Sequence, residues 1–288
     1  MKKLTLLILL STSYIFSNIN VVVSILPEKT FVKAIGGEKV NVSLMVLPGN
    51  SPHTYEPKPS QMKNLTKASL YFAIGVEFEK VWLPKFKNLN NRMEVVNLIQ
   101  NITLQKMQKH TEHNEHEENK HKEAHTHVGN DPHIWTAPSN VKVIAKTIYL
   151  ALVKADMDNK AYYTKNYKTF LKHIEQTDEK IKEILSKKNE GTKFMVFHPS
   201  WGYFAKEYNL IQLPVEMEGK SPKPRELIQL IKEAREEKIV AIFTQPEFSD
   251  AIAKVMANEL NIKVIKVSPL SPKWSQNLIN IANAIAGN

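Results

Sequence analysis

The sequence predicts an α/β protein of two lobes, each a parallel sheet flanked by helices, joined by one long rigid helix. Three observations predict it. Short runs rich in valine and isoleucine alternate with helical segments in both halves of the chain, which is the pattern of parallel sheets covered by helices. Between Asn159 and Lys188 there is neither proline nor glycine, and apolar residues recur at helical spacing. Proline- and glycine-rich stretches stop the chain where strands should end.

Taken in order, Lys2 and Lys3 precede the apolar run Leu4 to Leu10, and small and polar residues follow to Ser17. This is the layout of a secretory signal peptide over residues 1–17. The run is too short to span a bilayer, and an uncleaved anchor is the alternative. The first lobe is expected over residues 18–158. Val21 to Leu26 reads as a strand, and Pro27-Glu28 opens a helix carrying Phe31, Val32 and Ile35 that Gly36-Gly37 ends. Val40 to Leu47 reads as a second strand, stopped by Pro48-Gly49-Asn50-Ser51-Pro52. A helix from Pro59 to about Lys67, a strand Leu70 to Ile74, a helix Phe78 to Phe86 and a strand Met93 to Asn97 follow. Val141, Ile144, Ala145, Ile148 and Leu152 then fall on one helical face.

The linking helix is expected over 159–188. Tyr163, Tyr167, Phe170, Leu171, Ile174, Ile181 and Leu185 give it an apolar stripe. Thirty helical residues would span about 45 Å, longer than one small lobe needs, so it reads as a strut between lobes. The second lobe, 189–288, restarts the alternation. Strands are expected at Phe194 to Phe197, Leu210 to Val215, Ile239 to Thr244 and Val264 to Val267. Helices are expected at Tyr203 to Tyr208, Arg225 to Glu237, Phe248 to Leu260 and Ser275 to Ala286.

At 42% apolar and 24% charged, the 288 residues are those of a globular chain. There is no cysteine, which excludes disulfides, thiolate ligands and a lipid-modified cysteine. Net charge is +10, of which Lys2 and Lys3 supply two. Lysines alternate with glutamates along the expected helices, as in Glu179-Lys180-Ile181-Lys182-Glu183, so the charge reads as solvated faces and not as a nucleic-acid surface. A soluble, monomeric protein of an exported compartment is expected, most simply the periplasm.

Six of the ten histidines crowd into the run from His110 to His127: His110, His113, His116, His121, His125 and His127, interleaved with five glutamates. Nothing there can bury apolar surface, so residues 108–128 read as a mobile loop able to capture borderline divalent metals loosely. An ordinary solvated loop is the alternative. Three of the other histidines sit in loops beside prolines that fix the backbone: His53, His133 and His198. Singly, each would more often be a structural residue. His53 and His198 follow expected strands, where open α/β sheets bind ligands, and His133 precedes an expected helix; together they suit Zn2+ with a fourth position left open. Catalytic zinc has the same donor set, but no His-Glu-x-x-His helix and no Gly-x-Ser-x-Gly elbow accompanies it.

The segments Ser51-Pro52-His53-Thr54-Tyr55-Glu56-Pro57-Lys58-Pro59-Ser60, Asp131-Pro132-His133-Ile134-Trp135 and His198-Pro199-Ser200-Trp201-Gly202-Tyr203-Phe204 resemble the ZnuA-type zinc-binding solute-binding proteins of ABC importers, as do Gln245-Pro246-Glu247-Phe248-Ser249 and Ser268-Pro269-Leu270. The resemblance covers essentially the whole chain after the signal. It implies two lobes on one long helix, zinc as cargo on His53, His133 and His198, an ABC permease as partner, and no catalysis. Manganese-binding relatives carry a carboxylate where this chain has His198, which favours zinc. Many relatives have an aspartate where this chain has Ser268, so the fourth ligand is left to water, a tract histidine or Glu247. A manganese-preferring homologue, a metal-buffering adhesin and an exported zinc hydrolase are the alternative functions.

Overall fold

In a computed structural model of the protein, residues 18–108, 129–216 and 220–287 are described. The expected signal peptide and the six tract histidines, His110, His113, His116, His121, His125 and His127, lie outside the described residues.

The first sheet holds four parallel strands, β1 (Ile19–Val23), β2 (Val40–Leu44), β3 (Leu70–Ala73) and β4 (Glu94–Asn97), in the order β2-β1-β3-β4. Burial follows that order. β1 and β3 are central and almost wholly buried, as their β-branched and aromatic residues require, whereas β2 and β4 are edges with polar positions facing out. α1 (Leu26–Gly36), α2 (Pro59–Leu65) and α3 (Glu77–Leu89) connect them. α1 stops at Gly37, whose φ of 52° is a left-handed value. A Cβ there would collide with the hydroxyl of Tyr162.

α4 (Pro138–Ala155) leads through a short 3-10 turn at Met157–Asn159 into α5 (Lys160–Leu185), the linking helix. At 26 residues it is about 39 Å long. Its buried side chains Tyr163, Phe170, Ile174, Thr177, Ile181 and Leu185 form one stripe. That stripe packs against α1, α4 and the closing helix.

The second sheet repeats the first. β5 (Lys193–Val196), β6 (Ile211–Pro214), β7 (Ile242–Thr244) and β8 (Val264–Lys266) are parallel in the order β6-β5-β7-β8, with α6 (Gly202–Glu207), α7 (Pro224–Glu236) and α8 (Ala251–Leu260) as crossovers. Alternate residues face opposite ways. Met195, Val215 and Ile242 form one core with Leu230 and Ala234 of α7 and Met256 of α8. Phe194, Val196 and Phe243 point the other way, into a core continuous with that of the first lobe. α9 (Trp274–Ala286), last in the chain, packs on α5 rather than over the second sheet. Trp274 meets Phe31 of α1 edge-on, ring centroids 5.7 Å apart. Thr30 of α1 donates to the Pro272 carbonyl at 3.0 Å.

Several expected boundaries differ from those found. The first strand, expected at Val21 to Leu26, is Ile19–Val23, because α1 already begins at Leu26. β2 ends at Leu44, not Leu47, because β1 beside it ends at Val23; Met45 and Val46 still donate to the Val23 and Ser24 carbonyls as the chain turns away. α5 ends at Leu185, where Ser186 N–H turns back to the Glu183 carbonyl in a tighter bond than the α-helix makes.

Candidate metal centre

In each sheet the central strands β1 and β5 send the chain one way to an edge and the next crossover the other way. Each therefore has a switch point at its carboxyl end, where side chains from several loops can converge. Three histidines do so there.

His198 lies two residues past the end of β5 and is 8% exposed. Its backbone is clamped by Gln245, which follows β7: Gln245 Nε2 donates to the His198 carbonyl at 2.7 Å and Gln245 Oε1 accepts from His198 N–H at 3.3 Å. The ring stacks on Phe248 with centroids 5.1 Å apart, and Nδ1 meets Glu216 Oε1 at 2.9 Å. His133 caps a 3-10 turn, Ile134–Thr136, and is 6% exposed. Asp131 Oδ1 binds it twice, to the backbone N–H at 2.9 Å and to Nδ1 at 2.7 Å. His53 lies in the loop after β2 and is the least covered of the three. Its Nδ1 is paired with Glu77, the first residue of α3.

Each imidazole thus has a carboxylate on Nδ1, which leaves Nε2 as the donor to a metal; this is the carboxylate–histidine–metal arrangement. The rings of His53 and His133 each stand edge-on to that of His198, at centroid distances of 5.1 and 5.4 Å. One candidate ligand atom from each histidine lies within 4.8 Å of the other two. Nitrogens around one tetrahedral Zn2+ sit about 3.3 Å apart, so only a short inward movement separates this geometry from coordination. His198 Nε2 is buried with no hydrogen-bond partner among the described residues. A buried orphan of that kind calls for a ligand.

Electrostatics separates His198 from His53. Burial pushes the His198 imidazole below its ordinary pKa, against the opposing hydrogen bond from Glu216, so it is neutral and ready to donate an electron pair. His53 is shifted upward by its hydrogen bond to Glu77, with burial opposing, and the same contact holds the Glu77 carboxyl down.

The expected site residues therefore fall into two groups within the described residues. His53, His133 and His198 come together. Glu247 lines the same cleft but is not in the three-histidine group; its Oε1 accepts from Ser268 Oγ at 3.1 Å. Sequence reasoning missed Glu77 and Glu216, and quoted Asp131 without giving it a role. The available signal for Glu216 was its place at the carboxyl end of an expected strand, and for Glu77 the first turn of an expected helix.

A family model described as zinc-uptake complex component A, periplasmic, matches residues 21–286. Among curated proteins, the chain is 31% identical over 249 residues to the high-affinity zinc uptake system protein ZnuA of Bacillus subtilis, covering 85% of this chain and 76% of that one. It is 28% identical over 266 residues to the manganese ABC transporter substrate-binding lipoprotein scaA of Streptococcus gordonii, covering 88% and 80%. A crystal structure of ZnuA superposes with a TM-score of 0.84 at 38% identity, over 94% of this chain and 99% of that one. The shared architecture of two parallel four-stranded sheets and one long helix is that described above.

Proposed function

Because the chain belongs to the periplasmic zinc-uptake complex component A family, we propose that it captures Zn2+ in a periplasm and passes it unchanged to the membrane permease of an ABC importer. The family consists of metal-binding, substrate-binding components of such importers, and relatives named for zinc and for manganese both occur in it. Which metal this chain carries is decided by its donors. His53, His133 and His198 offer only nitrogen, which suits Zn2+ better than the harder Mn2+. The observation that carries the reading is the convergence of three imidazoles, each with a carboxylate on Nδ1 and one with a buried, unpartnered Nε2. The three carboxylates also make the pocket anionic, so a dication brings the centre close to neutrality. Water, Glu247 or a tract histidine completes the coordination.

Capture and release need no chemistry on the ion. Among the described residues no helix is long and apolar enough to cross a membrane. The continuous core that α1, α5 and α9 build across both lobes opposes wide opening. Release then requires the permease to distort the site.

Calorimetric titration of the signal-free chain with Zn2+ and with Mn2+, beside a form lacking residues 108–128, tests this. One tight zinc site should survive the deletion, with manganese much weaker. Tight binding that vanishes with the tract, or equal affinity for the two metals, would sink the reading.

A further inference from the structure

The five residues Asp131 to Trp135 precede α4 of the first lobe in the chain, yet the second lobe supplies anchors at both ends of the stretch. At the front, Met107 N–H donates to the Gly129 carbonyl and Asp131 N–H to the Gln105 carbonyl, at 3.2 and 2.8 Å, which makes a short antiparallel stem. Tyr203 of α6, 3% exposed, closes that stem. Its hydroxyl accepts from Gln105 N–H and donates to the Asp131 carbonyl, both at 3.0 Å. At the back, Trp135 Nε1 donates to the Pro269 carbonyl and Trp274 Nε1 to the Trp135 carbonyl, each at 2.7 Å. Beside them, a Cβ on Gly202 would come within 2.8 Å of Asp131 Oδ2, so α6 rests directly on the carboxylate that orients His133. His53 has no such frame. It sits on an open loop and leans on Glu77, whose side chain is 46% exposed.

We propose that Tyr203 is a positioning residue for the metal: it fixes Asp131, and through it the His133 ring, in the frame of the second lobe. His133 and His198 then form a preset pair of donors, and His53 of the first lobe completes the set. This rests on the three-histidine reading above. The tyrosine never touches the ion; it acts by holding the backbone from which the orienting carboxylate extends. Outer-shell groups of this kind are worth about 10- to 100-fold in metal affinity, and Tyr203, one link further out, belongs at about 10-fold.

Cobalt alone is the probe, because its visible absorption reports the coordination geometry. Tyr203→Phe, made in the signal-free chain, should alter the Co2+ spectrum and speed chelator-driven release of Co2+ about 10-fold. Gly202→Ala, which pushes Asp131 from the other side, should shift the spectrum too. Tyr162→Phe, whose hydroxyl accepts from Glu38 N–H just past α1 and far from the histidines in the fold, should change neither. A Tyr203→Phe protein with the wild-type Co2+ spectrum and release rate overturns the proposal, even if its metal-free form melts lower. His198→Ala in the same series separates the two readings: if it keeps tight Co2+ binding, the three-histidine site itself is wrong, whatever Tyr203 does.

Discussion

His198 Nδ1 and Glu216 Oε1 face each other across 2.9 Å, the first just past the end of β5 and the second just past the end of β6. Adjacent parallel strands deliver both, so the contact is fixed by sheet register and not by chance approach of two loops. Glu216→Gln keeps the shape and loses the charge that draws the Nδ1 proton. Zinc affinity by calorimetry should fall about 10- to 100-fold with the fold intact. Unchanged affinity would reduce Glu216 to a structural partner.

Zinc should stabilise the folded chain by mass action. At a free concentration of about 100 times Kd the gain is about 2.7 kcal/mol, visible as a rise in melting temperature. His133→Ala should abolish most of that rise. A full rise in the variant would show that the ion is held elsewhere.

Acid should weaken binding early. His53 must lose its proton before Nε2 can ligate, and Glu77 holds that proton on by raising the His53 pKa. Affinity is therefore complete above the raised pKa and is lost as pH falls through it. Glu77→Gln should move the onset of this loss to lower pH, read from zinc titrations between about pH 5 and 8. An onset that does not move would show that the pair does not control His53.

A second pH effect concerns stability alone. Glu79 is buried, accepts from Ile74 N–H at 2.9 Å and Gly75 N–H at 2.7 Å, and is pushed up to about 7, chiefly by burial. Burial likewise raises the Glu28 carboxyl, and the charge of Glu79 adds to it. For Glu79 the folded-state pKa lies above the ordinary 4.5, so the stability it contributes is complete below 4.5 and is lost as pH rises to about 7. Glu79→Gln cannot ionise. The wild type should therefore lose melting temperature relative to the variant across that window, and a constant difference would refute the account.

Gly37→Ala should cost about 1–3 kcal/mol from the left-handed backbone alone, and more from the collision with Tyr162. Urea denaturation measures it. Because the clash lies between α1 and α5, zinc affinity should change little.

The sequence made the fold legible because hydrophobic periodicity is local: the runs at β1, β3, β5 and β7 and the stripe on α5 need no knowledge of partners. The three loop histidines were legible for a related reason, since proline beside each marks a fixed backbone. What stayed hidden was pairing at long range. Nothing near Glu216 in the chain names His198, and nothing near Glu77 names His53. Likewise α9 reads as an ordinary closing helix, and contacts distant in the chain, such as Trp274 against Phe31, reveal that it crosses to the first lobe. The end of α5 was hidden because no glycine or proline marks it.

The clamp on Asp131 to Trp135 has a thermodynamic consequence. A receptor that orders its donors only when the ion arrives gives up part of the binding energy to that ordering. Here the rotational freedom of the His133 and His198 rings is surrendered when the chain folds, long before any ion is met. Affinity is thereby written into the folding equilibrium, and a substitution that merely loosens the joint between α6 and the stem should weaken capture without touching a single ligand.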